Sequence, residues 1–232
     1  MASFLLTSFD IWLDRHASNS SDDLLELLQQ NQQLPPDCQL LRRLPVEVEG
    51  AFEAVRSAIE HHPPDLVICC GMAETRSHLE LEQRAIDCPI QASPENAAEL
   101  ESEPSLNSEP DADPSPDRDP EPDPDPSPEL ELNPEKALQT SLDLASLAAD
   151  LTQTRISTDA GRFVCNGLYF RVLDWLSRSP QSDPACQALF VHVPRLTAEN
   201  QNAIVADFVT VLDRLGSSAR DRPGIPGRTH KC

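Results

Sequence analysis

The 232-residue sequence predicts an α/β fold of three layers, with helices on both faces of a mainly parallel, twisted sheet interrupted by a disordered, acidic, Pro-rich insertion. Three observations carry this reading. Short apolar runs alternate with segments of helical spacing, the order that builds a parallel sheet covered on both sides. The strongest run, Leu66–Cys70, is apolar at every position, as a strand buried on both faces must be. The pattern breaks once, in a stretch too charged and too rich in proline to pack.

The elements follow in order. Ala2–Phe9 is short and apolar and reads as a first, buried strand. Asp22–Gln30 has helical spacing with acidic residues at its start, where the helix dipole favours them. Gln39–Val46 is a second strand. In Glu49–Glu60, Ala51, Phe52, Val55, Ala58 and Ile59 recur at intervals of three and four, a helical face that His61-His62-Pro63-Pro64 terminates. The strand Leu66–Cys70 runs into Gly71, and Ser77–Ile90 suits one or two further extended segments. Beyond the interruption, a helix over Leu138–Leu151 is expected, then a strand Thr154–Thr158 and a turn at Ala160-Gly161. A helix Phe163–Ser177, a strand Ala188–Val193 and a last helix Thr197–Leu215 complete the pattern. No internal repeat of 20–50 residues is visible.

Composition sets the organisation. The net charge is −21, and residues 93–135 hold 15 of the 39 Asp and Glu, 11 of the 22 Pro and a single Arg. Fourteen of the 21 net negative charges therefore lie in that stretch. Such a segment cannot bury enough apolar surface to offset its ordering entropy. Residues 1–92 and 136–215 are expected to form one domain, 93–135 a disordered insertion, and the Gly/Pro-rich 216–232 a flexible tail. The strong acidity argues against nucleic acid and anionic membranes as partners. No run approaches the roughly 18–20 apolar residues of a membrane span. The N-terminal stretch has no basic region, and its apolar run is too short for the signal peptide that would direct secretion, so none is expected. Seven Cys without a CxxC pair suit a reducing compartment, so a cytoplasmic location is expected. No metal or cofactor site is indicated, and the oligomeric state is not encoded in any visible pattern.

Ligands of open α/β sheets gather at the carboxyl ends of strands, which directs attention to three segments. Cys165 lies about one turn into a helix after a glycine turn, where the positive helix end lowers a thiol pKa and its free N–H groups can bind an oxyanion. The position equally suits a small apolar core residue. His192 ends an apolar strand, where a neutral imidazole could take a thiol proton, or could be a hydrogen-bonded core histidine. Alternation puts Glu80 and Glu82 on one side of a strand, with Leu79, Leu81 and Gln83 on the other. Glu82 could orient an imidazole as the third member of a nucleophile–base–orienter set, or both glutamates could be solvated.

Taken together, these segments resemble the pyroglutamyl-peptidase I family of cysteine peptidases. The resemblance rests on Pro64-Asp65, Gly71-Met72-Ala73-Glu74-Thr75-Arg76 and Glu82-Gln83-Arg84-Ala85-Ile86-Asp87; on Ser157, Ala160-Gly161 and Phe163-Val164-Cys165-Asn166; and on Phe190-Val191-His192-Val193-Pro194. It spans roughly residues 2–92 and 136–215, and AG-x-FVCN is its most specific part. It implies a catalytic triad of Glu82, Cys165 and His192, a peptide substrate with an N-terminal pyroglutamyl residue, and no cofactor. It also implies that Phe9, Trp12, Met72, Phe163 and Val164 border the lactam, a small neutral ring that needs apolar walls and backbone hydrogen bonds. The segment following Asp87 departs from the family. The acidic run replaces a loop that helps close the site, and no Arg occurs between Arg84 and Arg118. The alternative expectation is therefore a catalytically weakened or inactive homologue acting as a binding protein.

Overall fold

The computed structural model describes residues 2–13, 16–89, 136–178 and 186–220. Six strands form one sheet in the order β2-β1-β3-β8-β4-β7: β1 (Phe4–Phe9), β2 (Cys38–Leu44), β3 (Leu66–Met72), β4 (Leu79–Glu82), β7 (Thr154–Ser157) and β8 (Gln187–Val193). Strands β2, β1, β3 and β8 run parallel to one another; β4 pairs antiparallel with β8, and β7 runs parallel to β4. The sheet is thus mostly parallel, as expected, but its direction reverses between β8 and β4.

Alternation along the strands divides the core into two faces. Phe4 and Leu6, Leu66, Ile68 and Cys70, and Leu189 and Val191 point to one face, under α1 (Ser20–Gln30), α3 (Leu144–Ala148) and α5 (Gln201–Arg220). Leu5, Val67, Cys69, Ala188 and Phe190 point to the other, under α2 (Val48–His61) and α4 (Val164–Arg178). The helical stripes match: Leu24, Leu25 and Leu28 of α1 are fully buried on the first face, and Ala51 and Val55 of α2 on the second. Continuing the same alternation puts Gly71 and His192 on the α2/α4 face.

Two short strands, β5 (Arg84–Ile86) and β6 (Ala137–Gln139), pair antiparallel beside α4. Asp87 N–H donates to Lys136 O at 2.9 Å, so the chain leaves and re-enters the described structure at neighbouring points. The insertion expected over 93–135 lies outside the described residues. Among the described residues, no helix is long and apolar enough to cross a membrane, and no group of three or more His, Cys, Asp or Glu is placed to hold a metal.

Two expectations are corrected. The segment 138–151 is not one helix: β6 occupies its start and α3 covers only Leu144–Ala148. Polar side chains compete with the helix here. Thr140 Oγ1 donates to Ala188 O at 2.7 Å and accepts from Leu142 N–H, and Asp143 caps a new helix by accepting from Ser146 N–H. The last helix starts at Gln201, because Thr197 and Asn200 hydrogen-bond each other across the preceding turn. It continues to Arg220, past the expected end at Leu215, with Gly216 packed close to the Phe4 ring. The remainder of the expected tail, from 221 onwards, lies outside the described residues.

Candidate active site

The reversal of direction between β8 and β4 creates the site. Glu82 faces Phe190 in the antiparallel register, so His192 is its diagonal neighbour on the same face of the sheet. The two side chains meet: His192 Nδ1 and Glu82 Oε1 are 2.7 Å apart, with Glu82 fully buried and His192 5% exposed. Glu80 shares that side of β4, whereas Leu79 and Leu81 enter the opposite core, as the alternation predicts. The pair therefore lies on the face of the sheet beneath α4, rather than beyond a common carboxyl edge.

Burial sets the protonation states. It pushes the His192 pKa below the usual 6.5, outweighing the opposing pull of Glu82. Burial alone would raise Glu82, but its bonds to His192 and Arg76 hold it below the ordinary carboxylate range. At neutral pH the pair is a carboxylate and a neutral imidazole. Nδ1–H donates to Oε1, which leaves the Nε2 lone pair as the basic position.

Cys165 is the second residue of α4. The turn before the helix is set by Gly161 at φ 78°, a left-handed conformation glycine tolerates, with its N–H donating to Asp159 Oδ1 at 3.0 Å. The helix start is pinned by Asn166, which is 1% exposed. Its side-chain amide accepts from Ile86 N–H and donates to Ile86 O, both at 2.9 Å, as an adjacent strand would. The Cys165 sulfur rests on Gly71, where a Cβ would come within 2.7 Å of both Sγ and the Phe190 ring. Gly71 is the register partner of His192, so the sulfur sits over the strand pair that carries the imidazole. The expected lowering of this thiol by the helix end does not hold. Burial, and next the Glu82 carboxylate, push Cys165 up to about 12, so the resting side chain is a neutral thiol.

Arg76, from the loop between β3 and β4, completes the cluster. Its Nη1 donates to Glu82 Oε1 at 2.9 Å and to Ser157 Oγ at 3.3 Å, its Nη2 donates to Asp159 O at 2.8 Å, and it also pairs with Glu80. Ser157 lies beside the Glu82 carboxylate, yet its hydroxyl turns to Asp159 O at 3.2 Å, and Glu82 Oε2 is left without a hydrogen-bond partner among the described residues.

The residues expected to border a ligand lie on separate elements. Phe9 and Met72 end the neighbouring strands β1 and β3; Phe9 is buried in the core and Met72 is half-buried. Trp12 follows β1, half-buried, its ring 5.8 Å from that of His16, which pairs with Glu74. Asn19 caps α1 and holds this loop by donating to Asp10 O at 2.9 Å. Phe163 is exposed and Val164 half-buried, directly before Cys165. Sequence reasoning assigned no role to Gly71, Arg76, Ser157 or Asn166. All four lie inside the quoted motifs, and a glycine closing an apolar strand already signals close approach by another group.

No family model matches the chain. The pyrrolidone-carboxylate peptidase of Bacillus subtilis (strain 168) is 28% identical over 158 residues, 66% of this chain and 60% of that protein. The protein of the same name from Enterococcus faecalis (strain ATCC 700802 / V583) is 26% identical over 179 residues, 69% of this chain and 71% of that one. The chain thus spans 60% of the length of the Bacillus subtilis relative. Among solved structures, pyroglutamyl peptidase I from Bacillus amyloliquefaciens superposes with a TM-score of 0.63 at 20% identity, covering 95% of this chain and 96% of that one. The chain is a relative of the pyrrolidone-carboxylate peptidases in sequence and shares the fold of pyroglutamyl peptidase I.

Proposed function

We propose that this protein is a cysteine exopeptidase that removes an N-terminal pyroglutamyl residue from peptides, with Cys165 as nucleophile, His192 as general base and Glu82 as the carboxylate that orients it. The observation that carries this reading is the buried Glu82–His192 hydrogen bond of 2.7 Å on the strand pair over which the Cys165 sulfur is seated. The curated relatives named pyrrolidone-carboxylate peptidase support the substrate class.

The chemistry follows from the protonation states. A thiol held at about 12 is not a resting thiolate, so its proton leaves as the sulfur attacks. Nε2 of His192 takes the proton while Sγ bonds to the pyroglutamyl carbonyl carbon. The imidazolium that forms faces the Glu82 carboxylate, which stabilises it. The scissile C–N bond breaks as His192 returns the proton to the departing amine. Water, deprotonated by the same imidazole, then attacks the thioester, releasing pyroglutamate and restoring the thiol. Phe9, Trp12, Met72, Phe163 and Val164 are the proposed surroundings of the lactam. The proposed compartment is the cytoplasm, supported by the free thiols of Cys38, Cys69, Cys70, Cys88 and Cys165, which a reducing environment preserves.

A fluorogenic pyroglutamyl amide tests this directly. Wild type should turn it over and Cys165→Ala should not, with both proteins equally folded by circular dichroism. Absence of turnover in the wild type, or undiminished turnover in Cys165→Ala, would overturn the reading.

A further inference from the structure

We propose that Arg76 is a positioning residue for the reaction: one guanidinium ties the carboxylate that orients the base to the loop that delivers the nucleophile. The inference rests on the peptidase reading above and assigns a residue that reading does not use.

Arg76 has acceptors on three separate parts of the chain. Glu80 and Glu82 belong to β4, Ser157 ends β7, and Asp159 O lies in the loop leading to Cys165. That loop has a second tie to Asp159, whose side chain accepts from Gly161 N–H. The arginine itself is held by a turn, Arg76 N–H to Ala73 O at 3.0 Å, and that turn is anchored to β8 one residue beyond His192 by Ala73 N–H to Val193 O at 2.9 Å. The planar guanidinium spans these acceptors at fixed spacing, which a lysine ammonium cannot do. Moving Arg76 would therefore shift Glu82 relative to the Cys165 loop. It would also free Glu82 Oε1, now shared between Arg76 and His192, to rotate away from the imidazole.

The charge has a separate effect. The charged and titratable groups facing His192 are Glu82 and, directly opposite it in the register, Glu80 on β4, Arg76 in the β3–β4 loop, Asp159 in the β7–α4 loop and Cys165 on α4, seated over Gly71. Among them Arg76 opposes protonation of the imidazole, whereas Glu82 and Asp159 favour it. Its removal should raise the pH at which His192 becomes protonated.

Arg76→Met and Arg76→Lys separate the two effects. In Arg76→Met, kcat should fall about 100-fold, the loss expected for an ångström-scale misplacement, with KM changed little. The acid limb of kcat/KM should move to higher pH, and the His192 ring proton resonance should titrate at correspondingly higher pH by NMR. Arg76→Lys keeps the charge and loses the reach, so it should restore the wild-type titration of His192 while recovering only part of kcat. Melting temperatures measured alongside correct for misfolded protein. The proposal is overturned if Arg76→Met changes KM alone, if losses in both variants merely track the folded fraction, or if the His192 titration is the same in Arg76→Met and wild type. The NMR readout does not require turnover. An inactive wild type would sink the peptidase reading, whereas an unmoved His192 titration would sink only the role of Arg76.

Discussion

Two buried carboxylates, Asp22 and Glu82, each engage arginine, and the way they differ separates a structural site from a chemical one. Asp22, at the start of α1, is saturated: Oδ1 accepts from Ser8 Oγ and Arg42 Nε, both at 2.7 Å, and Oδ2 accepts from Arg42 Nη2 at 2.8 Å and Arg43 Nε at 3.1 Å. These bonds hold its pKa at about 2 against the burial that would raise it. They also fasten Arg43 at φ 58°, a left-handed backbone a non-glycine residue adopts only when its surroundings insist. Glu82 is more deeply buried yet incompletely bonded. One oxygen serves both His192 and Arg76, and the other has no partner among the described residues. A carboxylate whose partners are all fixed donors can only hold the fold together. One that shares an oxygen with a titratable imidazole can follow a proton as it arrives and leaves.

The largest expected effect breaks the chemical member. Glu82→Gln should lower kcat/KM by about 10⁴-fold, because a side-chain amide can donate to Nδ1 and so favour the wrong imidazole tautomer. Wild-type kcat/KM in this variant would remove Glu82 from the mechanism. Next comes Gly71→Ala, which should lower kcat by roughly 100-fold through displacement of the sulfur. The added Cβ meets Sγ and the fully buried Phe190 ring, which has no room to retreat. Unchanged kcat would show that the sulfur seat is not what aligns attack.

The structural member should respond in the opposite way. Asp22→Asn removes the charge from a buried group paired with two arginines, and should cost about 3 kcal/mol. That is a fall of roughly 10 °C in melting temperature for a chain of this size. Activity per folded molecule should hold, and a specific loss of kcat without a change in melting temperature would erase the distinction between the two carboxylates.

How much of this was legible in the sequence follows the same division. The core strands were readable because burial on both faces demands apolar runs, and β3 and β8 show them. The direction of β4 was not, because four residues carry no sign of whether their neighbour is parallel, and this reversal is what brings Glu82 beside His192. Residues 138–151 misled because Leu144, Leu147 and Leu151 recur at helical spacing, while Thr140 and Asp143 redirect the backbone through local hydrogen bonds. Cys165, His192 and Glu82 were each ambiguous alone and gained meaning from motif order. Arg76 lay in plain view six residues before Glu82, but its acceptors on β7 and the following loop are some 80 residues away in sequence.

The smallest expected effect concerns pH, and it tests whether the two carboxylate sites titrate apart. His192 must be neutral to accept the thiol proton, and its folded pKa lies below 6.5. Activity should therefore persist into mildly acidic pH and fall only as pH drops through that lowered value. A preformed thiolate–imidazolium pair would instead lose activity on the alkaline side as the imidazolium deprotonates. With Cys165 at about 12, no such alkaline limb is expected near pH 8. For stability, the depressed His192 value gives a contribution present above about pH 6.5 and lost as pH falls through the folded pKa. For Asp22 the contribution is present above its unfolded value of 3.8 and disappears as pH falls to about 2. Acid thus reaches the site through His192 and the α1 cluster through Asp22. Kinetics and near-ultraviolet circular dichroism, followed over the same acid titration, should give two separate transitions. A single coincident transition would mean that inactivation is unfolding, and that the His192 proton does not set the acid limb.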